Sequence, residues 1–354
     1  MRYKLLGKSG LRVSELCLGT MKFGETLGWG ASRSDSKKMF DHFTGIGGNF
    51  IDTAVNYTDG ASEEFLGEFL KGQREHFVIA TKYSLTSSDK RDPNSGGNSR
   101  KNMRQSIERS LKRLQTDYID LYYLHMWDYL TPVEEVMRGL DDLVRQGKVL
   151  YIGIADSPSW IAAEANMLAE LRGWSCFVGV QAPYSLINRA VEWALLPMAK
   201  HWKMAVMPWG MLESGILANK YVREPIELNQ GERKIQELDE RKTNIIAEVQ
   251  KISAESGRSM AQVAINWVRQ QQKKALMIPI LGARSLVYLE DNLACLEWKL
   301  SEDQLERLDK ASRIELGFPD NFLEGNQYIF GDTFDKIDNH RNRVSGKRTG
   351  TQEP

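Results

Sequence analysis

Short apolar runs alternate with amphipathic segments along most of the chain. Eight of these runs resemble strands, and several of the eight are apolar at successive positions, which is typical of parallel strands covered on both faces. They predict strands at Glu15–Gly19, Asn49–Asp52, Phe77–Lys82, Ile119–His125, Leu150–Ile154, Phe177–Gln181, Met204–Pro208 and Ala275–Pro279. The alternation indicates an α/β fold in which each strand is followed by a helix.

The segments between the predicted strands carry apolar residues at helical spacing. In one of them Met103, Ile107 and Leu114 fall on a single face. The same spacing predicts helices around 39–46, 103–114 and 133–144, and over 158–172, 189–201, 242–256, 259–271 and 285–294. Strict alternation of strands and helices favours a closed (β/α)8 TIM barrel. The rival is an open, doubly wound sheet, but no G-x-G-x-x-G motif follows the first strand.

Three segments fall outside this alternation. Tyr3–Val13 is predicted to form a β-hairpin that turns at Ser9-Gly10 and could plug the bottom of the barrel. Two long connections, Ser84–Asn98 and Trp209–Glu240, follow the carboxyl ends of strands. Because barrel active sites lie at that face, we expect these two loops to border the functional site.

Composition limits the number of domains that the chain can form and the kinds of molecule that it is expected to bind. The chain has 354 residues, 42% of them hydrophobic, which is enough for one large core. We expect a barrel domain over residues 1–316 and a tail over 317–354 that packs on the barrel or is partly disordered. The 47 basic and 47 acidic residues cancel, so the global charge indicates neither a nucleic-acid nor a membrane partner.

The three cysteines indicate a reducing compartment. Cys17, Cys176 and Cys295 form no C-x-x-C pair, and all lie in apolar surroundings, which favours packing roles. No stretch approaches the roughly 20 apolar residues that a membrane helix needs. We therefore expect a cytoplasmic protein.

Four polar residues lie at or just past the ends of three successive predicted strands. Asp52, Lys82 and His125 end the second, third and fourth strands, and Tyr57 follows in the loop after Asp52. Together they can protonate a carbonyl oxygen that receives a hydride. Tyr57 would be the acid, and Lys82 would lower the pKa of its phenol. Asp52 would hold Lys82 charged, and His125 could donate to the carbonyl oxygen and orient it.

Each of these residues alone has a simpler interpretation. Asp52 could cap a helix or a turn, Tyr57 could be a packing residue, and a lone lysine at a strand end usually extends along the surface. A lone histidine after apolar residues, such as His125, is usually a core group. Four such residues at consecutive strand ends are an improbable coincidence. A metal centre has little support, because the five histidines show neither H-x-H nor H-E-x-x-H spacing.

Several motifs resemble those of the aldo-keto reductase family, including its bacterial members. The similarity runs in order from about residue 1 to about residue 315. The motifs are Gly19-Thr-Met-Lys-Phe-Gly24, Gly47-Gly-Asn-Phe-Ile-Asp-Thr-Ala54, Ala80-Thr-Lys82, Gln181-Ala-Pro-Tyr-Ser-Leu-Ile-Asn-Arg189, Pro208-Trp-Gly-Met-Leu-Glu-Ser-Gly215 and Gly282-Ala-Arg-Ser285, closed by Asn292.

The resemblance implies a (β/α)8 oxidoreductase that reduces an aldehyde or ketone with NADPH, with NADH as the second possibility. Asp52, Tyr57, Lys82 and His125 stand at the positions of the family's catalytic tetrad. The positions that would contact the dinucleotide are Gly19, Thr20, Met21, Asp52, Asp156, Gln181, Trp209, Gly210, Leu212, Gly215, Gly282, Arg284, Ser285 and Asn292. Within this set Arg284 suits the 2′-phosphate of NADPH, because a guanidinium matches phosphate bidentately. Ser285 resembles the N-cap of a helix whose N-terminus could bind an anion.

Two positions depart from the family pattern. Ala155-Asp156 replaces the Ser-Asn of many members, and Asp156 can accept from a carboxamide but cannot donate to it. Tyr288 replaces a Gln or Arg that relatives often place near the adenosine. The substrate pocket is expected to use aromatic and apolar residues, namely Phe23, Trp29, Met126, Trp127 and Trp209.

Two other classes of function remain open at this point. One is an NAD(P)H-binding regulatory or sensor subunit with weak turnover. The other is a barrel hydrolase with paired carboxylates, such as Asp52 with Asp156. We expect a small-molecule carbonyl substrate, but the residues indicate neither its identity, nor the direction of reaction, nor the oligomeric state.

Overall fold

The computed structural model describes residues 1–26, 28–86, 92–218, 239–323 and 329–336. Contacts along the chain divide it into two units, Met1–Ile314 and Glu315–Pro354. The expected barrel domain over residues 1–316, and a tail over 317–354 that packs on the barrel or is partly disordered, stay predictions. Of the long connection expected after the seventh barrel strand, residues 219–238 lie outside the described part.

Parallel strands form a closed barrel in the first unit. Its strands within the described residues are β3 (Cys17–Gly19), β4 (Phe50–Asp52), β5 (Val78–Tyr83), β6 (Ile119–Leu124), β7 (Val149–Ala155), β8 (Phe177–Pro183), β9 (Ala205–Trp209), β10 (Leu276–Met277) and β11 (Ile280–Gly282). They lie in the order β10-β9-β8-β7-β6-β5-β4-β3-β11, and every pairing in this sheet is parallel. The predicted (β/α)8 barrel is therefore confirmed.

The barrel closes through an eighth strand that is broken in two. Its first half, β10, pairs with β9, and its second half, β11, pairs with β3. Pro279 lies at the break, where it has no N–H to donate, but its carbonyl accepts from the Cys17 N–H at 2.9 Å. The strand predicted to end at Pro279 was therefore too short, because it continues to Gly282.

Helices follow the strands and cover the outside of the barrel. They are α1 (Arg33–Gly45), α2 (Ala61–Phe69), α3 (Arg100–Leu114), α4 (Val133–Arg145), α5 (Ser159–Arg172), α6 (Leu195–His201), α7 (Glu240–Ser256), α8 (Met260–Arg269), α9 (Leu286–Leu293) and α10 (Glu302–Ala311). The helix predicted over 189–201 begins later, at Leu195, which leaves Pro197 in the first turn where a missing N–H costs little. None of the described helices has both the length and the apolar character needed to cross a membrane.

A hairpin covers the amino ends of the barrel strands. Its strands β1 (Tyr3–Leu5) and β2 (Arg12–Ser14) are antiparallel. Leu6 and Val13 are fully buried in one apolar cluster with the first residues of β3, β4 and β5. Gly7 makes the close approach possible, since a Cβ there would lie 2.2 Å from the Val178 carbonyl oxygen. The hairpin thus closes the bottom of the barrel, and the carboxyl ends of the strands face away from it.

Candidate active site

Lys82 lies at the centre of the strand-end cluster. Its side chain is fully buried, and its ammonium donates to Asp52 Oδ2 at 2.6 Å, to the Thr53 carbonyl at 2.7 Å and to Tyr57 Oη at 2.9 Å. Asp52 ends β4 and Lys82 lies near the end of β5, and these strands are hydrogen-bonded neighbours. The barrel register therefore brings an acid, an amine and a phenol into direct contact.

Hydrogen bonds fix Asp52 on several sides. Gln181 Nε2 donates to Asp52 Oδ1 at 2.5 Å, so both carboxylate oxygens have a partner. The Asp52 carbonyl accepts from the N–H and the hydroxyl of Thr20, each at 2.9 Å. The Ser62 hydroxyl then links the hydroxyls of Thr20 and Thr53, at 2.8 and 2.9 Å. Asp52 is only 3% exposed, so its carboxylate orients Lys82 and is poorly placed to attack a substrate.

Tyr57 lies on a strained turn between β4 and α2. The three residues after it have left-handed backbones, with φ of 46° at Thr58, 54° at Asp59 and 98° at Gly60. Side chains other than glycine rarely adopt this region, and strain of this kind is retained when the surroundings enforce it. The Thr58 hydroxyl, for example, donates to the Phe23 carbonyl at 2.5 Å.

An ion pair between the half-buried Arg113 and the buried Glu63 supports this turn from the side of α3. Arg113 on α3 donates to the Val55 carbonyl at 2.8 Å and to Glu63 Oε2 at 3.3 Å. Glu63 is fully buried, and its other oxygen accepts from the Thr81 hydroxyl at 2.7 Å. The guanidinium also lies against Gly60, where an added Cβ would come within 2.2 Å of Arg113 Cζ. The pair therefore connects α3 to the segment that carries Tyr57.

His125 follows β6 and faces Tyr57. The two rings lie 5.9 Å apart between centroids, at 76° to each other. The backbone N–H of His125 donates to the Tyr83 carbonyl at 3.0 Å and to the Ser84 hydroxyl at 3.2 Å. Among the described residues, its buried Nδ1 has no hydrogen-bond partner.

Asn98 joins the two loops on either side of His125. Its Nδ2 donates to the Ser84 hydroxyl at 2.9 Å and to the Met126 carbonyl at 2.8 Å, and its Oδ1 accepts from the Asp128 N–H at 2.8 Å. Asn98 is fully buried. It thus clamps the segment after β6, which includes His125, to the loop after β5.

Burial and charge set the protonation of the cluster. Burial raises the pKa of Tyr57, and the opposing charge of Lys82 does not offset it, so the net direction is opposite to the one expected from the ammonium alone. Burial lowers the pKa of Lys82, but Asp52 and Tyr57 outweigh it and raise that pKa above its ordinary value. Burial, and next the charge of Lys82, hold the pKa of His125 well below its usual range. At neutral pH Tyr57 keeps its proton, Lys82 is charged and His125 is neutral.

Most of the positions expected to contact the dinucleotide lie along the same rim. Gly282 pairs with Gly19, and Gly19 pairs with Asp52, so the last and first strand ends adjoin the cluster. Gly210, Gly282 and Arg284 are exposed, whereas Asn292 is buried. The remaining positions lie at or after strand ends, or lead into α9: Thr20, Met21, Asp156, Gln181, Trp209, Leu212, Gly215 and Ser285.

The N-terminus of α9 resembles an anion site. Ser285 occupies the N-cap position, but its side chain makes no capping hydrogen bond. The first turn carries no acidic residue, and the preceding Arg284 is exposed. Because the first N–H groups of a helix have no partner within it, this end of α9 presents donors beside a cation, as a phosphate requires.

Trp209 and Asp156 are in contact on the wall formed by β7, β8 and β9. The Trp209 Nε1–H donates to Asp156 Oδ1 at 3.3 Å, and the Asp156 N–H donates to the Gln181 carbonyl at 3.3 Å. Asp156 has a left-handed backbone, with φ of 38°. Both residues are partly exposed, so they border the open side of the site.

The residues expected in the substrate pocket divide by exposure. Trp29 and Trp209 are half-buried, Met126 is 45% exposed and Trp127 is 9% exposed. Phe23 is different, because it is 1% exposed and packs against Phe69 with 6.5 Å between ring centroids. Its side chain therefore lies in the core between the barrel and the helices.

Sequence patterns did not point to Glu63, Arg113 or Asn98. Glu63 and Arg113 are 50 positions apart, so no local motif joins them. One signal was present, since Glu63 falls on the same face of α2 as the apolar Leu66. Among the described residues, no group of three or more His, Cys, Asp or Glu could hold a metal ion.

Similarity to known proteins covers most of the chain. Residues 15–313 match the model of the aldo/keto reductase family. Norsolorinic acid reductase B of Dothistroma septosporum is 37% identical, over 92% of this chain and 85% of the relative. The aryl-alcohol dehydrogenase [NADP(+)] of Phanerodontia chrysosporium is also 37% identical, over 92% and 88%, and the norsolorinic acid reductase of Aspergillus flavus is 36% identical, over 90% and 83%. The chain belongs to the aldo/keto reductase family and is an NAD(P)H-dependent oxidoreductase.

Proposed function

We propose that the protein reduces an aldehyde or ketone to an alcohol with NADPH, and that Tyr57 is the general acid. The observation that carries this proposal is the Lys82 ammonium, which contacts Tyr57 Oη and Asp52 Oδ2 together. A buried amine held in this way supports proton donation from the phenol. The cofactor, when bound, supplies the hydride that adds to the carbonyl carbon.

Each member of the cluster has a separate task in this reaction. Tyr57 donates its proton to the carbonyl oxygen as negative charge develops there. Lys82 stabilises the phenolate that Tyr57 becomes, which offsets part of the cost that burial places on that anion. Asp52 keeps Lys82 charged and aimed. Neutral His125 donates a hydrogen bond from one ring N–H to the carbonyl oxygen and so orients the substrate. A neutral imidazole can make this hydrogen bond without giving up its proton.

The choice of NADPH over NADH is supported by Arg284 and the N-terminus of α9. The 2′-phosphate distinguishes the two dinucleotides, and an exposed guanidinium beside uncapped helix N–H groups suits a dianion. The relative from Phanerodontia chrysosporium is named for NADP(+), which agrees with this choice. Tyr288, which is 55% exposed on the first turn of the same helix, adds no charge to the site.

Aromatic carbonyls are the proposed substrates. The loop after β6 presents Met126, Tyr129 and Leu130, which are 45%, 70% and 89% exposed, and Trp127 lies between them. Flat apolar side chains at the rim favour a flat apolar substrate. Of the three relatives described above, one is named for aryl alcohols and two for norsolorinic acid, and the aryl-alcohol name points to the same class.

A panel of carbonyl compounds tests this function. We expect consumption of NADPH with substituted benzaldehydes, and kcat/KM at least tenfold lower for aliphatic aldehydes of similar size. Activity that is absent across the panel, together with tight NADPH binding, would favour the regulatory or sensor alternative. Substrate cleavage by water without NADPH would favour the hydrolase.

Arg284→Met tests the cofactor choice. We expect the Kd of NADPH to rise at least tenfold and the Kd of NADH to change by less than twofold, because NADH lacks the 2′-phosphate. Arg12→Met is the control, because Arg12 is an exposed arginine on the hairpin at the opposite end of the barrel. An equal loss of both dinucleotides in Arg284→Met would contradict the 2′-phosphate role.

A further inference from the structure

Asp156 is held in an unfavourable backbone conformation at the open side of the site. Its φ of 38° is left-handed, and its N–H donates to the Gln181 carbonyl. Its Oδ1 accepts from the Trp209 indole at 3.3 Å. A non-glycine residue in this region costs energy, so the contacts on both sides fix where the carboxylate points.

A chain of hydrogen bonds joins Asp156 to the proton donor. Gln181 receives the Asp156 N–H on its carbonyl and donates its side chain to Asp52 Oδ1. The Asp52 carboxylate accepts from the Lys82 ammonium, which also donates to the Tyr57 hydroxyl. Burial is the main cause of the raised pKa of Tyr57, and the negative charge of Asp156 is among the smaller causes that add to it. The carboxylate therefore acts electrostatically on the place where the reaction occurs.

Asp156 contacts Gln181 and Trp209, two of the positions at which the family resemblance implies contact with the dinucleotide. In the proposed function Tyr57 protonates the oxygen of the carbonyl whose carbon receives the hydride, so a nicotinamide ring held at those positions would lie near both that carbon and the Asp156 carboxylate. The reduced ring is neutral, whereas loss of the hydride leaves the ring with one positive charge. A nearby negative charge attracts the cationic form and leaves the neutral form almost unaffected.

We propose that the Asp156 carboxylate makes the site bind NADP⁺ preferentially over NADPH, and so favours hydride transfer toward the carbonyl. This inference rests on the proposed function. With the cofactor bound the reaction would remain balanced: the carbon would gain a hydride from the cofactor, the oxygen would gain the Tyr57 proton, and the oxidised cofactor would carry the positive charge that the Asp156 carboxylate attracts. A neutral amide, in contrast, would accept the same hydrogen bonds without selecting between the two forms.

Asp156→Asn isolates the charge from the contacts. The amide oxygen can still accept from Trp209, and asparagine tolerates a left-handed backbone better than most residues, so the variant is expected to fold. The Kd of NADPH is measured by its fluorescence, and the Kd of NADP⁺ by displacement of NADPH. We expect the ratio Kd(NADP⁺)/Kd(NADPH) to rise about tenfold, equivalent to about 1.4 kcal/mol.

Glu213→Gln is the matched control. Glu213 is another half-buried carboxylate after β9, where it accepts from the Ser185 hydroxyl at 2.5 Å. It lies outside the chain of hydrogen bonds that leads to Tyr57. We expect this variant to shift both dissociation constants in proportion and to leave their ratio within twofold of the wild-type value.

Each result decides the inference. A rise of threefold or more in Asp156→Asn, with no such rise in the control, supports it. A smaller rise, a fall, or an equal rise in Glu213→Gln would overturn it while leaving the proposed function intact. Failure of the wild-type protein to bind either dinucleotide would overturn both.

Discussion

Three donors and three acceptors match at Lys82. Its ammonium has three N–H groups, and they meet the Asp52 carboxylate, the Thr53 carbonyl and the Tyr57 hydroxyl. Leaving one N–H unpaired in a fully buried position would cost about 1–3 kcal/mol or more. The charge is therefore tolerated inside the barrel only in the arrangement that also points it at the phenol.

His125 makes the stability of the protein depend on pH. Its pKa is held well below the ordinary value of about 6.5 that applies in the unfolded chain. Below about pH 6.5 the unfolded chain binds a proton that the folded protein does not, so the free energy of unfolding falls as the pH falls. The contribution reaches about 1.4 kcal/mol per pH unit. Urea denaturation between about pH 5 and pH 7 measures it.

His125→Gln is the control for this prediction, because glutamine does not titrate. The other four histidines are present in both proteins. We expect the slope of the unfolding free energy against pH to be smaller in the variant. The difference should be up to about 1.4 kcal/mol per pH unit, which corresponds to one proton. Identical slopes would show that His125 titrates equally in the folded and unfolded states.

The identities of the cluster residues could be predicted from the sequence, but their electrostatics could not. Asp52, Lys82 and His125 end apolar runs, and parallel strands place such ends at one rim. The net pKa shift of Tyr57 depends on how deeply the ring is buried, which no spacing along the chain reveals. The same holds for Phe23, whose aromatic character suggested a pocket and whose ring lies in the core.

The turn after β4 is the element that positions the proton donor. Gly60 combines a φ of 98° with close contact to the Arg113 guanidinium. We expect Gly60→Ala to lower the free energy of unfolding by more than the roughly 1–3 kcal/mol of backbone strain alone. It should also lower kcat at least tenfold, because the guanidinium must move and the turn with it. Chemical denaturation and steady-state kinetics check the two effects.

Gly72→Ala separates backbone strain from the clash. Gly72 has a φ of 80°, but a Cβ there would meet nothing within 4 Å. We expect this control to lose only the strain energy and to retain its kcat. If both variants lost the same stability and the same activity, contact with Arg113 would not be what supports the turn.

Contacts between distant segments limited what could be predicted at the scale of elements. Strand and helix types followed from apolar spacing, but the eighth strand was predicted to end at Pro279. Its second half, Ile280–Gly282, pairs with β3, far away in sequence. The pairing of Glu63 with Arg113 has the same origin, since it depends on how α2 and α3 pack.

The hairpin at the base of the barrel buries part of the barrel's apolar interior. Leu6 is fully buried among the side chains that begin β3, β4 and β5. We expect Leu6→Ala to lower the free energy of unfolding by about 2–5 kcal/mol, as a cavity in a packed core does. Because the carboxyl ends of the strands lie at the other end, the Kd of NADPH should change by less than twofold. Denaturation and NADPH titration measure both quantities.

Leu5→Ala is the neighbouring control, since Leu5 is 52% exposed. This variant should lower the free energy of unfolding by less than about 1 kcal/mol, as substitutions at the surface usually do. If the two variants lost equal stability, the hairpin would not act as a plug.

The architecture of the whole molecule was the most predictable level. Alternating strands and helices left few topologies, and the absence of a G-x-G-x-x-G turn favoured the barrel over an open sheet. Strand order then followed, because sequential parallel strands in a barrel are neighbours. Loops were the least predictable, since their positions depend on single clamps such as Asn98.

Tyr57→Phe tests the central claim most directly, because it removes one oxygen and keeps the ring. Lys82 and Asp52 retain their mutual contact, so the Kd of NADPH should stay within about threefold of the wild-type value. The rate of aldehyde reduction under saturating NADPH should fall by about 10²–10⁴-fold, the usual worth of a general acid. A variant that binds NADPH and turns over at the wild-type rate would show that the proton comes from another group.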